Sequence, residues 1–476
     1  MKTLLGVLRW TLLAIGSLLL LLIFGVAIVT HTDRFRQWAR DQLVTVLNDT
    51  VQGSIDIGRL EGSIWRDVVL RDVTVSYQGQ IIAQLSRLRL AYSLLPLIGG
   101  TLQISRLEAD HPSLRLERQD DDEWNIVKAL ASTHEPDSSE SGLIVRLSSL
   151  AIRQGEIELR LNQEESKSYF LREVNLDGSA VIDRPGLGVE LGHVAARLIA
   201  PKLPAVSLNG ALAYRNRETA DLLSFSDFLL ASGSSRLAVK GTLVNREATE
   251  LQAEISIERL AVPDVTAFVP DWPIKRDLTG SAAVNGRFSD LAVNLNLAAA
   301  GAQVQADLNL DVTQASPRYQ GRAHITGFDI RTLLEQEKLA GILSGTVQAQ
   351  GSGFELDAIQ AQANVSLRAA TVAGWTLGDV SVEGGLRDRI ATIAGKLKSN
   401  LGGAAWRGQI AIKDKLAYDL AISVNNLDIS KTAADGNALQ GNLNFKGTVE
   451  GSGIDPARLS ARADVQILPS TIGPVR

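Results

Sequence analysis

Val293-Asn294-Leu295-Asn296-Leu297 places an apolar residue at every second position, with asparagine between. In an extended chain successive side chains point to opposite faces, so this run reads as a strand with one apolar and one polar face. The same period spreads outward in both directions. Toward the amino terminus it recurs in Ile157-Glu158-Leu159-Arg160-Leu161, Leu114-Arg115-Leu116, Leu102-Gln103-Ile104, residues 85–92 and residues 73–77. Toward the carboxyl terminus it recurs in Ala361-Gln362-Ala363-Asn364-Val365-Ser366-Leu367, Leu420-Ala421-Ile422-Ser423-Val424 and Ala461-Arg462-Ala463-Asp464-Val465-Gln466-Ile467. Gly99-Gly100, Asp177-Gly178, Asn209-Gly210 and Gly402-Gly403 read as the turns between such strands. The expected fold is mainly β, an antiparallel meander.

Alternation assigns Leu88, Leu90, Leu102, Ile104, Leu114, Leu116, Val293, Leu295, Leu297, Val365, Leu367, Val465 and Ile467 to the apolar face. Helical patterns after residue 52 are short, at 124–131 and 331–338, too few to cover that face. The sheet must therefore close as sandwiches or a barrel, or curl into an open trough. About 30 strands at about 4.8 Å spacing would span roughly 140 Å. Residues 134–142 form a polar loop, separating a first β segment, 53–133, from a longer one, 143–476.

The second segment repeats. Leu339-Ala340-Gly341 matches Leu439-Gln440-Gly441, and Gly351-Ser352-Gly353 matches Gly451-Ser452-Gly453, both at an offset of 100. Phe328-Asp329-Ile330 corresponds to Leu427-Asp428-Ile429, and a weaker copy starts at Leu260-Ala261-Val262 and continues at Leu278-Thr279-Gly280. Such repeats stack so that each unit touches mainly its neighbours. The last copy is cut short at Gly473-Pro474-Val475-Arg476, so a longer parent protein is expected.

Residues 11–29 carry no charge and are just long enough to cross a bilayer core at about 1.5 Å per residue. Lys2, Arg9 and Trp10 precede them. The run exceeds the h-region of a cleaved signal peptide, so residues 1–32 read as an amino-terminal tip and a retained anchor. The anchor residues are Leu12, Leu13, Leu18, Leu19, Leu20, Leu21, Leu22, Ile23 and Phe24. Arg34, Arg36 and Arg40 outnumber the basic residues before the span, so flanking charge does not fix its orientation. Residues 33–52 read as an amphipathic helix, with Phe35, Trp38, Ala39, Leu43, Val46 and Leu47 on one side; packing onto the first strands is its expected role.

Composition narrows the function. The chain has 476 residues, 45% of them apolar and 21% charged, in the range of folded proteins. A net charge of -5 argues against a nucleic-acid partner. With no cysteine and five scattered histidines, neither a thiolate metal site nor a histidine cluster is expected. No Gly-x-Ser-x-Gly elbow, Walker loop or His-Glu-x-x-His occurs. Gly351-Ser352-Gly353 reads as a turn, and Asp120-Asp121-Asp122-Glu123 as a solvated loop in preference to a calcium site. The expectation is a protein that is not an enzyme and holds no cofactor.

Ile55-Asp56-Ile57-Gly58-Arg59-Leu60-Glu61-Gly62-Ser63-Ile64-Trp65-Arg66-Asp67-Val68-Val69-Leu70-Arg71-Asp72-Val73-Thr74-Val75 resembles the amino-terminal region of the TamB family, translocation and assembly module subunits related to AsmA-like and chorein-type lipid-transfer proteins. Residues 83–90 and 94–108 continue the likeness. The resemblance implies an inner-membrane anchor in a Gram-negative envelope, with the bulk of the chain in the periplasm. It also implies a β-taco, a sheet curled around a hydrophobic groove that holds phospholipid acyl chains on their way to the outer membrane. The alternative it implies is assembly of outer-membrane and autotransporter proteins with TamA, an Omp85-type partner. The carboxy-terminal domain that meets that partner in the family has no counterpart in this chain.

Overall fold

A computed structural model describes residues 32–119, 123–133, 144–160, 168–183, 186–201, 203–217, 220–270, 272–335, 341–353, 358–372, 375–412, 416–431, 440–453 and 460–473. The proposed anchor residues Leu12 to Phe24 and most of the acidic run at 120–123 lie outside these. Among the described residues no helix is long and apolar enough to cross a membrane. The chain divides into two compact units, Met1–Gly233 and Ser234–Arg476.

Unit 1 runs α1 (Asp33–Thr50), β1 (Ser54–Ser63), β2 (Asp67–Tyr77), β3 (Gln80–Ser93), β4 (Thr101–Asp110), β5 (Ser113–Glu117), α2 (Asn125–Leu130), β6 (Ile144–Arg160), β7 (Ser168–Asp183), β8 (Gly186–Ile199), β9 (Val206–Arg217) and β10 (Ala220–Ser232). The amphipathic helix expected at 33–52 is α1. Thr32 caps it by accepting the Phe35 N–H, and the Asn48 side chain bonds both backbone groups of Ile55, fastening the helix to β1. Leu43, Val44 and Leu47 of α1, with Ile126 and Ala129 of α2, close over Ile55, Ile57, Val73, Val75, Ile82 and Ala83. Among the described residues this helix-covered core is the largest buried cluster, and Ile57 is fully inaccessible.

One step of unit 1 departs from the expected meander. β4 and β5 form a single line broken at His111-Pro112, and β6 pairs with both of them in parallel. The physical reason is the long connection between β5 and β6. It carries α2 and returns the chain to the end from which β4 set out, which a tight turn cannot do. The remaining neighbours, from β6 to β10, pair antiparallel.

Unit 2 runs β11 (Ser235–Asn245), β12 (Thr249–Leu260), α3 (Val262–Phe268), β13 (Leu278–Arg287), β14 (Asp290–Ala299), β15 (Ala302–Asp311), β16 (Arg318–Asp329), α4 (Ile330–Leu334), β17 (Gly341–Ser352), β18 (Gln360–Val372), β19 (Trp375–Arg387), β20 (Ile390–Ser399), β21 (Gly402–Ala411), β22 (Ala417–Asp428), β23 (Gly441–Ser452), β24 (Ser460–Ile467) and β25 (Thr471–Ile472). Each strand from β11 to β23 pairs antiparallel with the next, and β25 also pairs with β23. The described residues thus hold 25 strands, fewer than the expected 30, because single strands run as long as 17 residues in β6. Ala300-Gly301 and Asp388-Arg389 make two-residue turns with every φ positive, the hairpin geometry that matches strand twist.

Asp177-Gly178 and Asn209-Gly210, expected as turns, lie inside β7 and β9. A Cβ on Gly178 would collide with Leu191 on the next strand, and one on Gly210 with Phe228. These glycines make room for a neighbouring strand's residue.

The repeat at an offset of 100 maps β16–β18 onto β22–β24. The β16–β17 ladder shifts between Ile325 and Phe328, where Gly327 (φ 67°) donates to Ser344 Oγ at 3.0 Å. The β22–β23 ladder shifts between Val424 and Leu427, where Asn426 (φ 52°) donates to Asn444 Oδ1 at 2.7 Å. After each bulge an aspartate, Asp329 or Asp428, caps a short helical turn. The weaker copy shows the same bulge, between Ile257 and Leu260, followed by α3. At the α4 rim, Leu333 is 1% exposed and packs on Ala299, Ala302, Ile274, Leu278 and Phe328.

Candidate functional site

Register turns the alternation of single strands into rows that cross the sheet. In unit 2 one row reads Val239, Ile255, Ala282, Leu295, Ala306, Ala323, Val347, Val365, Val382, Gly395, Trp406, Ile422, Gly447 and Val465, each opposite the next. The row beside it runs Leu297, Val304, Ile325, Gly345, Leu367, Val380, Leu397, Ala404, Val424, Phe445 and Ile467 from β14 onward. Val293 begins a third, through Leu308, Gly321, Ala349, Ala363, Gly384 and Ile393. The expected residues Leu295, Val365 and Val465 thus share one row, and Leu297, Leu367 and Ile467 the next. No charged or amide side chain interrupts either.

The rows are open, not a closed core. Within unit 2 their members from β11 to β23 are half-buried, apart from the buried Ala306 and Gly345. Leu291 and Leu333 are the only large aliphatics of unit 2 that are buried among the described residues. A packed β-sandwich would hide most such side chains. At three places a glycine on one strand faces an aromatic residue on the next. Trp406 lies across Gly395, Tyr319 across Gly351 and Tyr418 across Gly451, each filling the space where the glycine lacks a Cβ. The last two pairs are equivalents in the repeat.

In unit 1 the corresponding rows are Leu90, Leu107, Leu150, Gly178, Leu191, Leu212 and Phe225, and Leu88, Ala109, Ile152, Leu176 and Val194. Ile104 lies beside Leu147 and Ala180, Leu102 beside Val145 and Ile182, and Leu116 beside Leu159. Leu114 differs. It packs into the core beneath α1 and α2, where the helices already cover it.

The opposite face is polar and largely self-compensating. Arg89 binds Asp67 at 2.6 Å and approaches Glu108, Arg87 binds Asp110 at 3.0 Å, Arg153 binds Asp177 at 2.5 Å, and Lys240 binds Glu254 at 2.8 Å. The hydrogen bond from Arg89 holds the Asp67 carboxyl below its ordinary range. A hollow of about 820 Å³ opens on this face, bordered by Lys396, Arg407 and Lys446 but also by Glu383 and Asp464. A second, about 970 Å³, is lined by Gln320, Gln350, Gln362, Arg387 and Asp388. Mixed charge gives neither hollow a marked preference for an anion or a cation. Among the described residues no group of three or more His, Asp or Glu could hold a metal ion.

What the apolar face can do follows from transfer free energy. At about 25 cal/mol per Å² of covered apolar surface, a chain of methylenes laid along the rows gains as it would in a protein core. The aliphatic rows offer no directional bond, so nothing fixes such an occupant at one point. Isolated strands already showed the apolar positions; the rows needed register, which no local signal carries.

The model of the AsmA family matches residues 1–256. Neither a curated protein nor a solved structure matches the chain.

Proposed function

Because this chain belongs to the AsmA family, we propose that it is a membrane-anchored carrier on whose apolar sheet face phospholipid acyl chains move during envelope biogenesis. The observation that supports this reading is the row from Val239 to Val465, fourteen strands long without a charged or amide side chain and for the most part left half-buried. In the finer form of the reading, close to the TamB family, residues 11–29 anchor it in a Gram-negative inner membrane. The strands then stand in the periplasm, curl into a groove around the lipid tails and pass them toward the outer membrane. No catalytic step and no cofactor are required.

The test uses the full chain, purified in mild detergent and extracted for lipid mass spectrometry. Several phospholipids per chain are expected from the wild type. Val365→Asp combined with Val465→Asp puts two carboxylates in one row, where a lipid tail would have to desolvate them. Folding should persist, since Val465 is exposed and Val365 only half-buried, while lipid recovery falls severalfold. Undiminished lipid on a well-folded double variant would sink the reading.

A second reading has its own observation. Among the described residues β24 pairs along one edge only, and Val465 and Ile467 are 56% and 67% exposed. An exposed strand of this kind can take an added strand, as in assembly of outer-membrane and autotransporter proteins with an Omp85-type partner. The two readings separate by variant: proline within β24 would abolish strand addition and leave lipid recovery intact.

A further inference from the structure

The turn from β3 to β4 holds Leu94, Leu95, Leu97 and Ile98 at 41, 77, 44 and 88% exposure, in a short 3-10 turn begun by Leu95-Pro96. At the same end of these strands the β1–β2 turn adds Trp65 at 47%, with Arg66 exposed beside it. Tyr92 ties the two turns together: its N–H donates to the Arg66 carbonyl at 2.9 Å and its hydroxyl to the Ile64 carbonyl. The aliphatics are thus presented at a braced tip. Exposure this high means that the side chains stand clear of their own fold instead of lining a pocket.

An apolar cluster of this size on a protein surface marks a contact. Its chemistry fits a bilayer interface: aliphatic side chains at the apex, a tryptophan and an arginine at the level where headgroups lie. The chain also brings a bilayer within reach. The uncharged run 11–29 leads into α1, which is about 27 Å long and packs on β1, the strand whose far end is the Trp65 turn. We propose that the Leu94–Ile98 tip, with Trp65 and Arg66, inserts into the interfacial layer of the lipid bilayer that holds the anchor. This rests on the reading of residues 11–29 as a membrane span.

The chain contains no cysteine, so single labelling sites can be introduced cleanly. Ile98→Cys marks the tip, and Gln80→Cys marks the exposed opposite end of the β2–β3 hairpin, about 36 Å away along the 11 residues of β2. Each full-length variant is labelled with an environment-sensitive fluorophore and reconstituted into vesicles of phosphatidylethanolamine with a minority of phosphatidylglycerol. Flotation is read first. A chain that stays in the aqueous fractions overturns the span and the tip together. For a chain that floats, brominated acyl chains should remove most of the emission at position 98 and leave position 80 unchanged. Leu95→Asp with Leu97→Asp should restore it without releasing the chain. If a floated chain shows position 98 as open to aqueous iodide as position 80, the tip proposal fails while the span stands. A position 98 shielded from iodide yet indifferent to brominated lipid assigns the patch to a protein partner and likewise overturns it.

Discussion

Asp277 joins the start of β13 to α3 with one carboxylate, accepting the Val262 N–H at 3.0 Å and the Arg259 Nε–H at 2.7 Å. The Val262 hydrogen bond first, then Arg259, holds its folded pKa below the ordinary carboxylate value. A depressed folded pKa means that the stabilisation is present above the unfolded value, near 3.9, and fades as pH falls through the folded one. Solvent reaches 34% of the side chain, so the effect is modest. Asp277→Ala should cost about 1–2 kcal/mol at neutral pH and progressively less in acid below about pH 4. Urea unfolding at both pH values checks this; a deficit that persists unchanged in acid would contradict it. Other single residues were misleading in the sequence. Gly178 and Gly210 carry the composition of turns, yet they sit in mid-strand because Leu191 and Phe228 need their empty space. The partner that explains such a glycine is on another strand, out of reach of a local reading. Gly100, at φ 74° in a real turn, looks the same in sequence.

Among the described residues, helices in unit 2 interrupt the sheet only at one end of its strands. α3 follows β12, α4 follows β16, and the 3-10 turn Ile429–Lys431 follows β22, all even-numbered strands of an antiparallel series. Of these, α4 seals a rim of the apolar face. Leu333 does this for α4, and Leu333→Ala removes the side chain that holds a five-residue helix in place. At about 2–4 kcal/mol for such a truncation, amide exchange across residues 330–334 should accelerate by roughly two orders of magnitude. β14 and β15 should keep their protection, being held by their own ladders. Equal protection of α4 in the variant would show that Leu333 is not what secures it. The helices at 33–52 and 124–131 were legible from their three- and four-residue spacing. α3 was not, because Leu260-Ala261-Val262 reads as the end of a strand and both Val262 and Pro263 at its start are poor helix formers. The parallel step at β6 was also hidden, since strand direction is set by the length of the preceding connection and not by the strand itself.

Taken whole, the chain keeps its contacts between neighbouring strands, and each of the two units carries its own small core. Stability in such a stack is a sum of local terms, so one cooperative transition is not expected. Urea unfolding followed separately through Trp38 and Trp65 of unit 1 and Trp272 and Trp406 of unit 2 should give distinct midpoints. A single coincident transition would argue for tighter coupling. Alternation revealed the two-faced sheet at this scale, and the repeat revealed its internal copies; the boundary at Gly233 left no mark in composition. The copies themselves carry a rule of growth. They begin at β12, β16 and β22, in steps of four and six strands. An odd step would turn the chain around and send the next helix out at the opposite end. A whole hairpin, about 9.6 Å of added sheet, keeps every row and rim in phase. The protein is thus a ruler graduated in hairpins, and a lineage can lengthen or shorten it by gene duplication or loss without redesigning a single contact.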